Sequence, residues 1–338
     1  MTSEHLGFHG LYRFVLLLLV SVLVLNLSHV VRGRILEQDT SNYESAPPKG
    51  TVKTIKGEDG DVVDCVDIRK QPALNHPLLK DHKIQMDPSS SLKMMNQSNP
   101  TTAFIHQLWH KNGFCSEDTV PIRRRQLQDQ PPTNDTIKGP HNEVFPKHYG
   151  DHRTRFFIYF TTDDSLTTRC WDLDCNGFVQ VNNKFSLGAY ITQVSTIGGD
   201  LYELKIAIFQ DRKTGNWWLS VMDTSIGYWP ASLFPGLPEG ATSLEWGGSV
   251  YDSIGIGPHT DTNMGNGLFP DLRVNKASYV CSLQYVDESF TLQIPERSNL
   301  FGGGTNPFCY NAQLLPELDP DQGLCFLFGG PGKNPKCP

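Results

Sequence analysis

The sequence has few clusters of positive charge. Acidic residues outnumber Lys and Arg, 36 to 29, and the net charge is −7 over 338 residues. The one compact basic run is at residues 123–125. Because nothing resembles a basic stripe that could neutralise phosphates, nucleic acid is not expected as a partner.

Several motifs that define common enzyme classes are also missing. The sequence contains no P-loop, no G-x-G-x-x-G, no G-x-S-x-G and no internal repeat. This argues against phosphate-binding loops, a dinucleotide fold and a serine nucleophile elbow. None of the cysteines has the surroundings of a thiol-protease nucleophile. We predict no cofactor and no metal ion.

A long apolar span is absent, but a short apolar run lies near the N-terminus. Residues 14–27, FVLLLLVSVLVLNL, follow a weakly basic start that includes Arg13. The run is shorter than the about 20 residues that cross a bilayer. We therefore predict that residues 1–33 are a secretory signal rather than a retained anchor, although VRG departs from the usual cleavage pattern. After its removal no membrane contact is expected.

The cysteine count supports export. Eight cysteines, an even number, predict disulfides in a secreted chain. Cys170 and Cys175 are spaced too widely for the usual zinc knuckle. Asn96 and Asn134 begin N-x-S/T sequences and are candidate glycosylation sites.

Composition divides the chain into segments. Residues 34–60 are polar and predict a flexible leader. Residues 61–126 form a mixed, more ordered module, and residues 127–143 have the composition of a linker. Residues 144–338 form the main domain.

The main domain has the pattern of an all-β protein. Short runs rich in aromatic and β-branched residues alternate with turn sequences about every ten residues, which is typical of an antiparallel sandwich or barrel. Trp217, Trp218 and Trp229 lie in such runs. We interpret them as sheet core rather than as a sugar-binding platform.

Two further groups of polar residues are candidate reactive sites. His148 and His152 are four apart, but Pro146 and Gly150 argue against the helix that would let them share a metal ion. The acidic residues in FTTDDS and WDLD have a loop-like setting and are expected to be solvated.

Glu245 stands apart from the other carboxylates. It lies in an apparent strand between Leu244 and Trp246, ahead of two glycines that would allow another backbone to approach closely. A carboxylate in apolar company is unfavourable unless it is paired or protonated. Glu245 is therefore a candidate functional residue, and the alternative is a strand-edge glutamate that points outward.

Longer motifs resemble a known family. YGDHRTRFFIYFTTD, CWDLDCNGFVQVNN, GNWWLSV, IGYWPASLF, LEWGGSVYDS, HTDTNMGNG and FGGPGKNPKCP are similar to the neprosin family of plant secreted peptidases. DGDVVDCVDIRKQPALNHPLLKDHKIQ and CSEDTVPIRR resemble the activation-peptide domain of that family.

The resemblance implies a fold and an activity. The fold is an antiparallel β-sandwich with curved sheets, preceded by a small N-terminal pro-domain. The activity is cleavage after proline at acid pH by a pair of glutamates. The expected setting is extracellular, in the cell wall or apoplast, where a monomer acts on a proline-containing peptide or protein.

The resemblance also implies disulfide pairs. These are Cys170–Cys175 and Cys309–Cys337 in the main domain, with Cys65–Cys115 inside the activation domain. Cys281 and Cys325 remain, and their pairing is left open.

One of the two family glutamates is found and the other is not. The glutamate of the EWGG stretch falls on Glu245. The other belongs to an E-A-G-W stretch, but Gly139 stands at its position and Asn142 stands where the tryptophan should be. Glu143 is four positions off register, about 13 Å along a strand. A block of strands upstream is also absent, for which a real divergence and a missed exon are both explanations.

Three hypotheses follow from the missing glutamate. The chain is a secreted, proline-directed glutamic endopeptidase whose activity is impaired, or a non-catalytic β-sandwich that binds Pro-rich protein or a cell-wall polymer. The third is an incomplete product that folds poorly because strand edges are left unpaired.

Overall fold

The computed structural model describes residues 2–10, 46–90, 106–125, 146–163, 168–252, 258–270, 276–304, 306–319 and 322–338. The apolar run 14–27, the expected linker 127–143 and both candidate glycosylation sites, Asn96 and Asn134, lie outside these residues. Within the described ranges, no helix combines the length and apolarity that a membrane span requires.

Strands dominate the described chain, and their pairing is antiparallel. In chain order they are β1 Thr2–Gly10, β2 Thr51–Lys56, β3 Val62–Asp67, β4 Thr119–Arg123, β5 Tyr159–Phe160, β6 Cys170–Trp171, β7 Val179–Gln180, β8 Ile206–Gln210, β9 Trp217–Val221, β10 Thr224–Trp229, β11 Glu245–Asp252, β12 Ser278–Val280, β13 Tyr285–Val286, β14 Leu292–Gln293, β15 Leu300–Gly304, β16 Asn311–Leu314 and β17 Phe326–Gly329. The all-β class expected from the sequence is confirmed.

Among the residues that the structure describes, helical structure is limited to short pieces. The α-helix α1 spans Pro146–Tyr149. Single 3₁₀ turns span Ile68–Lys70, Pro72–Asn75, Pro77–Leu79, Leu108–Asn112, Ala231–Leu233 and Arg297–Asn299.

The sequence argument against a helix around His148 needs a correction. Pro146 opens α1, where its missing N–H is not needed, and Gly150, with φ of 72°, ends it. The helix is one turn long, so His152 lies beyond it. His148 and His152 therefore do not share a helix face.

The N-terminal module is built on the sheet β2-β3-β4. Its core contains Ile55, Val63 and Trp109 around the Cys65–Cys115 disulfide. β2 lies inside the segment expected to be a flexible leader. Only Ile55 of this strand is buried, so its polar composition hid a strand that backbone pairing with β3 stabilises.

The main sheet of the larger domain has the order β7-β10-β9-β8. Trp217, Leu219 and Val221 alternate along β9 into one apolar core, while Trp218 faces the other side. Trp217, Trp218 and Trp229 are 6%, 0% and 0% exposed, which confirms that they belong to the sheet core.

A second core lies towards the C-terminus. It contains Val250, Met264, Phe326 and Phe328. The sheets β12-β17-β16 and β11-β1-β15 supply its strands, so β1 is the central strand of a three-stranded sheet.

The structure contains four disulfides. Cys65–Cys115, Cys170–Cys175 and Cys309–Cys337 are the pairs that the resemblance implied. Cys281 pairs with Cys325, which answers the question left open by the sequence.

Candidate active site

Glu245 is the first residue of β11, and the strand's alternation fixes the side on which it lies. Trp246 packs against the second core, and Gly248 and Val250 are buried. Because side chains alternate along a strand, Glu245 is on the opposite face, where it is half-buried. Leu244, the other apolar neighbour of Glu245 in the sequence, precedes the strand and is 38% exposed.

The second glycine after Glu245 allows close packing, although the groups that approach it are side chains rather than the backbone expected from the sequence. A Cβ at Gly248 would lie 2.9 Å from atoms of both Met264 and Phe328. No larger residue fits there without a shift of buried side chains. Gly248 thus lets β11 lie directly on the second core, which holds Glu245 in place.

The strand next to β11 is β1. In the register of β1 with β11, Trp246 pairs with Phe8 and Glu245 pairs with His9. On the other side of β1, His9 pairs with Phe301 of β15. Leu300 packs against the second core, so Phe301, 48% exposed, is on the face of Glu245. The Cα atoms of Glu245 and Phe301 are therefore about 10 Å apart, two strand spacings. The position opposite Glu245 on β1 is a histidine. Gly139, Asn142 and Glu143 lie outside the described residues.

A buried ion network joins the N-terminal module to the larger domain. The guanidinium of Arg155, fully buried, donates to Asp61 at 2.8 Å and to Asp151 at 2.6 Å. Burial alone would raise the pKa of Asp61, but Arg155 and Arg123 hold it below its usual value. Hydrogen bonds from Arg155 and Arg153 likewise overcome burial and lower the pKa of Asp151 to about 2.

The expectation that the WDLD carboxylates are solvated is wrong for Asp172. It is buried, it accepts hydrogen bonds from the Tyr149 hydroxyl at 2.6 Å and from the Ile158 N–H at 3.1 Å, and burial raises its pKa to about 7. Its setting between Trp171 and Leu173, in a loop closed by a disulfide, was the available signal. Asp174, two residues on, is partly exposed.

Asp172 and His148 line a cavity between the two domains, and Arg123, Arg124 and Arg125 contribute to its wall. Burial, followed by the charges of Arg125, Arg123 and Arg155, lowers the pKa of His148 to about 4. The cavity therefore holds two groups whose protonation changes with acidification.

A second contact between the domains covers one face of the main sheet. Ala73 and Leu79 of the N-terminal module form one apolar cluster with Phe209, Trp218 and Tyr228. The module is thus packed on the sheet through apolar contacts as well as through ions.

These features define a class: an antiparallel β-domain with three disulfides that carries a docked N-terminal module with one disulfide. Residues 127–331 match the Neprosin family model, and residues 54–137 match the model for the Neprosin activation peptide. The chain belongs to the neprosin family and is a peptidase-like protein with an activation peptide.

Proposed function

We propose that this chain is a secreted zymogen of the glutamic-peptidase type in which Glu245 is the remaining catalytic carboxylate and cleavage after proline is impaired. The observation that carries the proposal is the placement of Glu245. Partly buried Trp246 and buried Gly248 anchor its strand, and the carboxylate lies on the face away from the core.

The impairment follows from the chemistry of peptide hydrolysis by carboxyl groups. One carboxylate takes a proton from water while a second, protonated carboxyl donates to the scissile carbonyl or the leaving amine. Two such groups titrate as a coupled pair, which suits acid pH. Gly139 stands where the second glutamate belongs, and the loss of one acid–base partner typically lowers the rate about 10²–10⁴-fold.

The activation domain, expected at residues 61–126, is proposed to be a removable pro-segment. Support comes from the match to the activation peptide and from its internal Cys65–Cys115 bond. The proposed substrate is a proline-containing peptide or protein met outside the cell by a monomer. Secretion after removal of residues 1–33 and glycosylation at Asn96 and Asn134 are parts of the same proposal.

The test is an assay of the secreted, processed protein against proline-containing peptides between pH 2 and pH 7. We expect little or no cleavage, and any residual activity should be lost in Glu245→Gln. Glu239→Gln, a change at an exposed glutamate six residues upstream, is the matched control.

Two outcomes would contradict the proposal. Robust cleavage that Glu245→Gln abolishes would show that another group has taken the missing role. Robust cleavage that Glu245→Gln leaves unchanged would remove Glu245 from the chemistry.

A second candidate is binding of Pro-rich protein or cell-wall polymer without cleavage. Exposed Phe301 shares the face of Glu245, and Gly302 and Gly303 follow it without side chains. An aromatic ring above bare backbone suits stacking against flat apolar ligand surfaces. Recovery of intact ligand after saturable binding distinguishes this candidate from a peptidase.

A further inference from the structure

Two sequence motifs that the proposed function does not use lie against each other in the larger domain. His259 opens the motif HTDTNMGNG, and Cys337 lies in the motif FGGPGKNPKCP. Residues 330–338 of the second motif are called the strap here. The Lys333 N–H of the strap donates to the Thr260 carbonyl at 2.8 Å. Backbone contacts therefore join the two motifs independently of any disulfide.

Glycines allow the strap to lie directly on its neighbours. A Cβ at Gly332 would lie 2.5 Å from the carbonyl oxygen of Thr260, and a Cβ at Gly330 would overlap the carbonyl oxygen of Cys309. A larger residue at either position would push the strap away. The close approach places the strap against the segments that carry His259 and Cys309.

Three metal-ligating groups converge at this contact. The sulfurs of Cys309 and Cys337 and a ring nitrogen of His259 all lie within 4.8 Å of one another. The cysteines are 0% and 3% exposed, and they form a disulfide in the structure. His259 is partly exposed, which gives an ion a way in. Within the described ranges, no other three His, Cys, Asp or Glu side chains come together in this way.

The hydrogen bond of His259 sets its tautomer. Its Nδ1 lies 2.9 Å from the Thr260 carbonyl oxygen. A carbonyl oxygen only accepts, so Nδ1 carries the proton and the buried Nε2 carries the lone pair. Histidines that bind metal are oriented by a bond of this kind from the other ring nitrogen. The Asn306 side-chain N–H, 3.8 Å from the Cys337 sulfur, is placed to stabilise a thiolate there.

We propose that the dithiol form of this site binds one Zn²⁺ through the sulfurs of Cys309 and Cys337 and Nε2 of His259, with a fourth position open to water or another small ligand. Two thiolates and one imidazole are a ligand set that zinc accepts. Cys309 and Cys337 are 28 positions apart, so ligand spacing in the sequence does not predict the site. The expectation of no metal ion then applies to the disulfide form alone.

The disulfide and the metal are alternative crosslinks between the same two sulfurs. Opening the disulfide takes two electrons and two protons, which a dithiol reductant supplies as it becomes a disulfide itself. A newly made chain carries the same thiols before the disulfide forms. Zn²⁺ then displaces the two thiol protons and forms two Zn–S bonds, whereas the neutral imidazole loses no proton.

The ligands need only small movements to reach zinc geometry. Two Zn–S bonds of about 2.3 Å at a tetrahedral angle place the sulfurs about 3.8 Å apart, inside the 4.8 Å spread of the three donors. One divalent cation also balances two thiolates, so the buried sulfurs gain no net charge. The inference does not depend on Glu245 or on removal of the activation domain.

The experiment reduces the full chain with a water-soluble phosphine in oxygen-free buffer, because dithiols themselves bind zinc. Co²⁺ is titrated first, and the visible absorbance of a tetrahedral thiolate site is expected, with one ion per chain and displacement by Zn²⁺. Alkylation of thiols and peptide mass mapping then locate the ion. Zn²⁺ should protect Cys309 and Cys337 and leave the reaction of Cys281 and Cys325 unchanged.

His259→Gln is the informative variant because it removes one ligand and both thiols remain. It should lower the Zn²⁺ affinity at least about 100-fold, since the loss of an outer partner alone typically costs about 10–100-fold. His152→Gln, a change at an exposed histidine, is the matched control and should bind like the native protein. If His259→Gln fails to fold, Asn306→Leu takes its place, with an expected loss of about tenfold.

Each outcome decides the inference. Protection of Cys309 and Cys337 that His259→Gln weakens supports it. Protection of a different cysteine pair overturns it, as does equal Zn²⁺ affinity of the native protein and the variant. A reduced chain that binds no metal also overturns it. So does a reduced chain that unfolds and does not refold with Zn²⁺, because the backbone contacts of the strap are required to keep the ligands together.

Discussion

At the scale of single residues, Asp172 links protonation to stability. Its pKa of about 7 in the fold, raised by burial, exceeds the 3.8 of an ordinary aspartate. The stabilisation from its bound proton is therefore fully present below pH 3.8 and is lost as the pH rises through 7. Asp172→Asn should remove this dependence, which amounts to at most about 4 kcal/mol.

Chemical unfolding of both proteins at pH 4 and pH 8 measures the effect. The native protein should lose more stability than Asp172→Asn between these values. Asp200→Asn, at an exposed site, serves as the control. Parallel pH profiles for native protein and Asp172→Asn would show that the carboxyl is not protonated in the fold.

Protonation of His148, in the same cavity, has the opposite effect on stability. Burial and the charges of Arg125, Arg123 and Arg155 lower its pKa to about 4, against 6.5 when unfolded, while Asp174 lies 3.5 Å away. Stability is present above pH 6.5 and is lost as the pH falls through 4. Because arginines of the activation domain line this cavity, acid should loosen the docked domain.

His148→Gln should therefore keep the activation domain docked more firmly at pH 4 and behave like the native protein at pH 7. Limited proteolysis of the activation domain at the two pH values measures this. His152→Gln, a change at an exposed histidine, is the control. Equal protection of native protein and His148→Gln at pH 4 would exclude His148 as an acid-sensitive group.

At the scale of elements, the position of β1 predicts what the loss of this strand does to stability and association. β1 fills the space between β11 and β15, where glycines stand opposite it on both sides, as in the row of Gly7, Gly247 and Gly303. The processed chain proposed above, which begins at residue 34, lacks this strand and exposes two unpaired edges. It should unfold at a lower temperature and associate more readily than the full chain.

A peptide of residues 2–10 supplied in trans should reverse both effects. The control peptide carries Gly7→Pro, which removes an N–H from the middle of the strand. Thermal unfolding and light scattering provide the measurements. No change with either peptide would show that β11 and β15 do not need a strand between them.

At the scale of the whole molecule, the buried ion pairs between the domains are expected to hold the activation domain in place. Asp61→Ala leaves Arg155 buried with one carboxylate fewer, and breaking such a pair costs about 3–5 kcal/mol. The activation domain should become sensitive to proteolysis at neutral pH. Glu58→Ala removes the exposed pair with Lys111 and should change stability by less than about 1 kcal/mol. Equal effects of the two changes would contradict the role given to Asp61.

The sequence by itself determined the strand content, the tryptophan core and the strand position of Glu245 beside Trp246. Alternation and glycine spacing are local properties, and they specify a strand and the identity of its buried residues without knowledge of the fold. The motifs also determined the family, the activation domain and three disulfide pairs.

Only the tertiary structure decided which surfaces meet. The strand β2 came from pairing with β3, and the burial of Asp172 came from packing between Tyr149 and the backbone of Ile158. The coverage of Trp218 by Ala73 and Leu79 joins residues more than a hundred positions apart. Hydrogen bonding and burial between distant segments depend on how the chain folds back, and no periodicity in the sequence records them.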